Sequence, residues 1–93
     1  MKTITKDELT KKLGAIKKVR KNGTKTVVIE CENGDMLQSY QTVVAATCCG
    51  KLYLFPKHAC SNTTNRHLIE YCGLNKSARL EALENEVAIS VTE

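Results

Sequence analysis

Apolar residues along this chain recur with two different periods, and the change of period marks out the elements. Leu9, Leu13 and Ile16 return at helical spacing. Thr5-Lys6-Asp7-Glu8 ahead of them fits a capping box, in which a hydroxyl and a carboxylate satisfy two backbone N–H groups that the helix start leaves open. Gly14 interrupts the run, so the helix is expected to end near Leu13; the competing reading carries it on to Arg20. Beyond Gly14 the period falls to two. The segments AIKKVRK and TKTVVIECE are separated by Asn22-Gly23, and the second is followed by Asn33-Gly34. Asn-Gly tolerates positive φ at both positions, so two such pairs between β-prone stretches predict successive hairpins. Lys25 to Glu32 is the best strand, with β-branched Val27, Val28 and Ile29. Alternation puts Val27, Ile29 and Cys31 on one face and Glu30 and Glu32 on a solvated face.

Met36 to Thr47 reads as one long strand. Leu37, Ser39, Gln41, Val43 and Ala45 point one way and Gln38, Tyr40, Thr42, Val44 and Ala46 the other. Neither face is cleanly polar, which predicts a strand that is central or covered on both sides at its far end. Cys48-Cys49-Gly50-Lys51 is the next turn, Lys51 to Phe55 a short strand, and Pro56 its end. After a loop at Lys57 to Cys60, Ser61 or Asn62 caps a helix running through Cys72, and Gly73 is placed to stop it. Leu68, Ile69, Tyr71 and Cys72 make its apolar side. Asn75 or Ser77 begins a last short helix carrying Ala78, Leu80, Ala82 and Leu83. Val87, Ile89 and Val91 then alternate with Ala88, Ser90 and Thr92. The expected architecture is one α+β domain over residues 1–93: an N-terminal helix, a three- to four-stranded antiparallel meander, two helices packed on one face, and a C-terminal edge strand.

Composition changes this picture little. With no Trp and a single Phe, the core must be built on aliphatic residues and cysteine. The first ten residues hold no apolar stretch of signal-peptide type, and no run is long enough to span a membrane. The expected setting is therefore the cytoplasm, where the five cysteines would be mostly free thiols. Charge changes the picture more. Residues 1–25 hold nine Lys and Arg against Asp7 and Glu8, a balance of +7, while the remainder carries −3. Lys11, Lys12, Lys17, Lys18, Arg20, Lys21 and Lys25 form a basic segment that serves either as a solvated face that keeps the protein soluble or as a surface for an acidic protein or a phosphate backbone. No aromatic residue that could stack a base is interleaved with them; Tyr40, Tyr53 and Phe55 lie elsewhere in the chain.

Other chemistry can be drawn on paper. Zinc could draw on Cys48, Cys49, His58, Cys60, His67 and Cys72, but the chain lacks the C-x₂-C spacing, and adjacent cysteines chelate one metal poorly. Thiols serving as small hydrophobes account for the same residues, Cys31 and Cys72 above all. Cys60 with His58 or His67 would make a nucleophile only if folding gave the thiol a depressed pKa and a base within reach. Cys48-Cys49 could act as a redox pair or be incidental to a turn. No catalytic residue, metal or cofactor is expected. Ser61, Thr63, Thr64 and Arg66 gather hydroxyls and one cation at a helix start, where free N–H groups attract anions; plain capping uses the same residues.

One stretch also carries a resemblance. Leu37, Ser39, Tyr40, Thr42, Val44 and Ala45 give L-x-S-Y-x-T-x-V-A. Gly50, Lys51, Tyr53 and Leu54 give G-K-x-Y-L, and Ser61, Thr63, Thr64, Arg66, His67 and Leu68 give S-x-T-T-x-R-H-L, with Tyr71 shortly before Gly73. This resembles a family of small domains of unknown function found in bacteriophages and mobile elements. The loop Pro56-Lys57-His58-Ala59-Cys60 departs from that family's aromatic or acidic residues. The resemblance implies a phage-like origin and a compact α+β fold, and it carries over no catalytic residues because none are established for the family. Together with the lopsided charge it leads to an expectation of a non-enzymatic accessory protein. Such a protein would bind and block a host protein with an acidic surface, such as a defence or nucleic-acid-handling enzyme. Direct nucleic-acid binding by the basic segment is the alternative, and a thiol- or zinc-dependent protein the second alternative.

Overall fold

The computed structural model describes residues 1–58 and 61–93. The chain runs β1 (Thr3–Thr5), α1 (Lys6–Leu13), β2 (Ile16–Lys21), β3 (Thr26–Cys31), β4 (Gly34–Ser39), β5 (Thr42–Cys48) and β6 (Lys51–Leu54). A 3₁₀ turn at Pro56–His58 then leads to α2 (Asn62–Cys72), α3 (Lys76–Glu84) and β7 (Ala88–Thr92). All seven described strands join one sheet in the order β1-β7-β6-β5-β4-β3-β2. Strands β2 to β6 form an antiparallel meander. β7 lies parallel to both β6 and β1, and α2 and α3 supply the crossover that a parallel neighbour requires.

The local signals for the helices act as read. Thr5 caps α1: its hydroxyl accepts from Glu8 N–H at 3.1 Å, and the Glu8 carboxylate accepts from Thr5 N–H at 3.3 Å. Ser61 and Asn75 cap α2 and α3 through bonds to Thr64 N–H and Ala78 N–H. Gly14 ends α1, and the basic run after it is strand β2 rather than more helix. Each sheet face then builds its own core. Leu9 and Leu13 of α1 pack with Cys31, Ala46, Cys48, Tyr53, Phe55 and Val91 on one face. Leu68 of α2 and Leu83 of α3 pack with Val28, Leu37, Val44, Ala45, Leu54 and Ala88 on the other.

The expected three- to four-stranded meander with an edge strand is overturned by the seven-stranded mixed sheet; its α+β character holds. Three differences account for this. The predicted single strand over 36–47 is two strands, because the chain reverses at Tyr40-Gln41, with Tyr40 at φ 57°. That turn has no glycine, and residues on both sides of it are equally β-prone, so periodicity passes straight through it. β7 is not an edge strand but is paired on both sides. β1 has three residues, too few for a periodic signal, and its partner lies at the opposite end of the chain.

The Asn33-Gly34 hairpin is also shifted by one residue. Glu32 and Asn33 make the turn, and Gly34 is the first residue of β4, paired with both Cys31 and Cys48. A Cβ at Gly34 would lie 1.9 Å from the Thr47 carbonyl oxygen and 2.9 Å from Cys48 Cα, both backbone atoms that cannot swing away. Gly34→Ala should therefore cost about 3 kcal/mol, as overpacking at its upper range does. Gly50→Ala, with φ +77° but open space around it, should cost only the left-handed strain of about 1 kcal/mol. Urea midpoints of the two variants check the ranking.

Candidate functional site

The basic segment is not one patch on one element. Lys11 and Lys12 sit in the last turn of α1, where cations suit the helix dipole. Lys17, Lys18, Arg20 and Lys21 lie on β2, all six residues of which are exposed, and Lys25 lies in the loop before β3. β2 is one edge of the sheet. Directly paired residues of an antiparallel ladder project to the same face, so the pairing sorts the β2 side chains. Lys18 stands opposite Glu30 and Arg20 opposite Val28, on the face that carries α2 and α3. Ile16 opposite Cys31 and Val19 opposite Ile29 project to the α1 face, with Lys21. Ile16 and Val19 remain 61% and 59% exposed. Arg20 Nε lies 3.4 Å from Glu30 Oε2, both side chains being nearly half exposed, so this pair contributes no more than about 1 kcal/mol.

Folding brings an aromatic residue to the end of this edge. Tyr40, exposed at the β4–β5 turn, donates its backbone N–H to the Lys25 carbonyl at 2.8 Å, and Lys25 Nζ sits 5.8 Å from the ring centroid. Lys21, Lys25, Thr26, Tyr40 and Gln41 line a shallow cleft of about 480 Å³. Sequence reasoning set the aromatics apart from the basic segment, since Tyr40 lies fifteen positions beyond Lys25. No local signal in the sequence joins the two; the adjacency of two loop tips at one end of the meander does.

The Ser61 to Arg66 cluster sits at the start of α2 as a cap. Ser61 Oγ accepts from Thr64 N–H at 3.0 Å and donates to Thr64 Oγ1 at 2.8 Å, with Thr64 buried. Asn65 Nδ2 donates to the Ser61 carbonyl at 3.0 Å. Thr63 is half-buried and Arg66 exposed.

Three polar contacts that sequence reasoning did not anticipate pin the helices to the sheet and to each other. Ser39 Oγ lies 2.8 Å from His67 Nδ1, which joins β4 to α2; Ser39 is buried and His67 half-buried. The Tyr71 hydroxyl donates to the Asp35 carboxylate and lies 3.0 Å from Thr47 Oγ1. Burial, and then the bond to Asp35, hold the Tyr71 phenol well above its ordinary range. Arg79 of α3 is 4% exposed and donates to the Leu74 carbonyl at 2.8 Å and to Asn65 Oδ1. Burial lowers its pKa.

With the geometry in view, the model of a family of unknown function, DUF8033, matches residues 4–86. The chain belongs to that family. The match agrees with the resemblance as far as a small-domain family of unknown function. It takes in the basic edge, the Tyr40 turn and both helices of the crossover, and stops just short of β7. No curated protein and no solved structure matches the chain.

Among the described residues, no three His, Cys, Asp or Glu side chains gather where they could hold a metal ion. Cys31 and Cys48 are buried, and burial first of all raises both thiol pKa values, so neither is an activated thiolate. Cys49 is exposed, with its Sγ 3.7 Å from that of Cys48. Cys72 Sγ donates to the Leu68 carbonyl of its own helix. His58 Nε2 lies 2.9 Å from Glu93 Oε1 and holds that carboxyl below its usual range. Cys60 lies outside the described residues, and so do its pairings with His58 and His67. Among the described residues, no helix is long and apolar enough to cross a membrane.

The Tyr71 pin has a pH signature. Its folded pKa stands above the ordinary value of about 10, so its stabilisation is complete below that pH. It is lost as pH climbs from there toward the folded value, because only the unfolded chain then gains from ionising. Tyr71→Phe should cost about 1–3 kcal/mol at neutral pH by leaving Asp35 short of a donor. Its gap to the wild type should narrow above about pH 10, as urea melts across the alkaline range would show.

Proposed function

We propose that this protein works by binding rather than catalysis: a phage-like accessory protein that docks on the acidic surface of a host protein and blocks it. The observation that carries this reading is the edge strand β2, where four of six residues are cationic and all six are exposed. Among the described residues, only Arg20 of those four has a carboxylate partner, so most of that charge is available to another molecule. The acidic remainder of the chain lies elsewhere in sequence, and a local concentration of cations such as that on β2 steers association with an oppositely charged partner. Supporting the non-catalytic part, Ser39, Cys31 and Cys48 are buried within the sheet, and burial raises both thiol pKa values.

A second reading, direct nucleic-acid binding, draws on the position of Tyr40 beside Lys25, with Lys21 lining the same cleft. A base could stack there while the lysines hold phosphates. The two readings separate in one experiment. Immobilised protein should retain a discrete host protein from lysate at moderate salt. The quadruple charge reversal Lys17→Glu, Lys18→Glu, Arg20→Glu and Lys21→Glu should abolish that retention while leaving the melting temperature within a few degrees, since these side chains are exposed. Capture that survives the reversal would sink the proposal. Retention of oligonucleotide alone, falling steeply with salt, would favour the second reading.

A further inference from the structure

The same strand carries a more specific inference, resting on the reading of β2 as the contact surface. We propose that the partner contributes an extended segment of alternating acidic and apolar residues, which adds to the sheet as an eighth strand alongside β2. β2 pairs with β3 on one side only, so half of its backbone groups have no ladder partner. The phase of the ladder identifies which. Asn22 N–H donates to the Thr26 carbonyl at 3.0 Å, at the turn end of the β2–β3 hairpin. In an antiparallel ladder inward and outward residues alternate. Arg20 and Lys18 therefore turn their N–H and C=O groups toward β3, and Lys21 and Val19 turn theirs outward. The register shift between Ile16 and Lys18 breaks the phase, so the regular template is Lys18–Lys21.

The side chains specify the occupant. On the α2–α3 face, Lys18 and Arg20 would stand beside an incoming strand's residues of one parity. On the α1 face, Val19 would stand beside those of the other parity, with Ile16 and Lys21 flanking it. Carboxylates on the first face and aliphatic side chains on the second would satisfy both. A second copy of this chain is a poor occupant. Pairing β2 with itself would set four cations of one strand against four of the other, and like charges across a ladder destabilise. Strand addition would join main-chain bonds to alternating side-chain recognition, whereas lysines alone serve only to discourage unwanted pairing.

The test uses the full chain and a synthetic peptide alternating Glu and Val, followed by fluorescence anisotropy. The peptide should bind, and amide exchange at Val19 and Lys21 should slow in the complex while that at Lys18 and Arg20 changes little. Val19→Pro removes one outward N–H and no β3 bond; each lost hydrogen bond should weaken binding about five- to ten-fold. Should that variant fold poorly, a peptide N-methylated at alternate residues makes the same test against the unaltered protein. If Lys18→Glu/Arg20→Glu weakens binding but N-methylation and Val19→Pro do not, strand addition is wrong and docking on an acidic surface stands. If charge reversal affects neither the peptide nor the captured host protein, the broader reading falls too. A dimer in sedimentation that Val19→Pro dissolves would assign the edge to a second copy. Retention of single-stranded DNA without peptide binding would assign it to nucleic acid. Either result overturns the proposal.

Discussion

Both cores meet on β5, and the rest of the molecule depends on that strand being covered on its two faces. It is the middle strand of seven. Val44, Ala45, Ala46 and Cys48 are all buried, with Ala46 and Cys48 in the core beneath α1 and Val44 and Ala45 in the core beneath α2 and α3. Two consecutive residues share a face because the ladder to β4 slips there: Gln38 pairs with Val43 and Leu37 with Ala45, which leaves Val44 as an extra residue. The slip gives the α2–α3 face two apolar contacts in a row without breaking the strand. Small alanines at its centre leave room for Leu9 and Leu13 on one side and Leu68 and Leu83 on the other. Each of those leucines contributes about 1.5–3 kcal/mol by burial, well above any surface ion pair in the molecule.

Polar contacts add direction to this apolar packing. Leu68 would allow α2 some freedom to slide over the sheet. Ser39–His67 and the Tyr71 hydroxyl between Asp35 and Thr47 fix where it sits, and Arg79 ties α3 to Asn65 of α2 and to Leu74 in the connection between the two helices. A half-made contact at these depths would cost more than the finished contact contributes, so they specify one docking position more than they add stability. No buried side-chain nitrogen or oxygen among the described residues is left without a partner.

The polar groups of the interior are thus satisfied, while the outer backbone groups of β2 have no ladder partner. The strand has one neighbour, no helix covers its side chains, and its cations outnumber nearby acids. Edge strands with unpaired backbone are commonly short, bulged or charged to discourage pairing with other chains. This one has the bulge and the charge, and also two exposed aliphatic residues on the α1 face. Under the proposed reading, that combination would favour an acidic partner over a basic one, selectivity built partly from repulsion.

Much of the local structure was legible in the sequence because its causes are local. Thr5 and Glu8 lie within one helical turn, Gly73 takes the left-handed position at the end of its helix, and β-branched residues mark β3. The basic segment was legible as well, since charge asymmetry survives any folding. The sheet was not. Whether Tyr40-Gln41 bends or continues is decided by what β4 and β5 pack against, and the sequence on either side reads as strand in both cases. β1 and the central position of β7 depend on a pairing between Thr3–Thr5 and Ser90–Thr92, across nearly the whole chain. The Tyr40–Lys25 adjacency, and Arg79 as a buried cation, arise in the same way. The sequence alone determined where helices start and stop and where the positive charge lies. Only the tertiary structure decided how many strands share the sheet, which are edges, and that the stretch from Lys17 to Lys21 lies on one of them, because strand pairing is a contact between residues far apart in the chain.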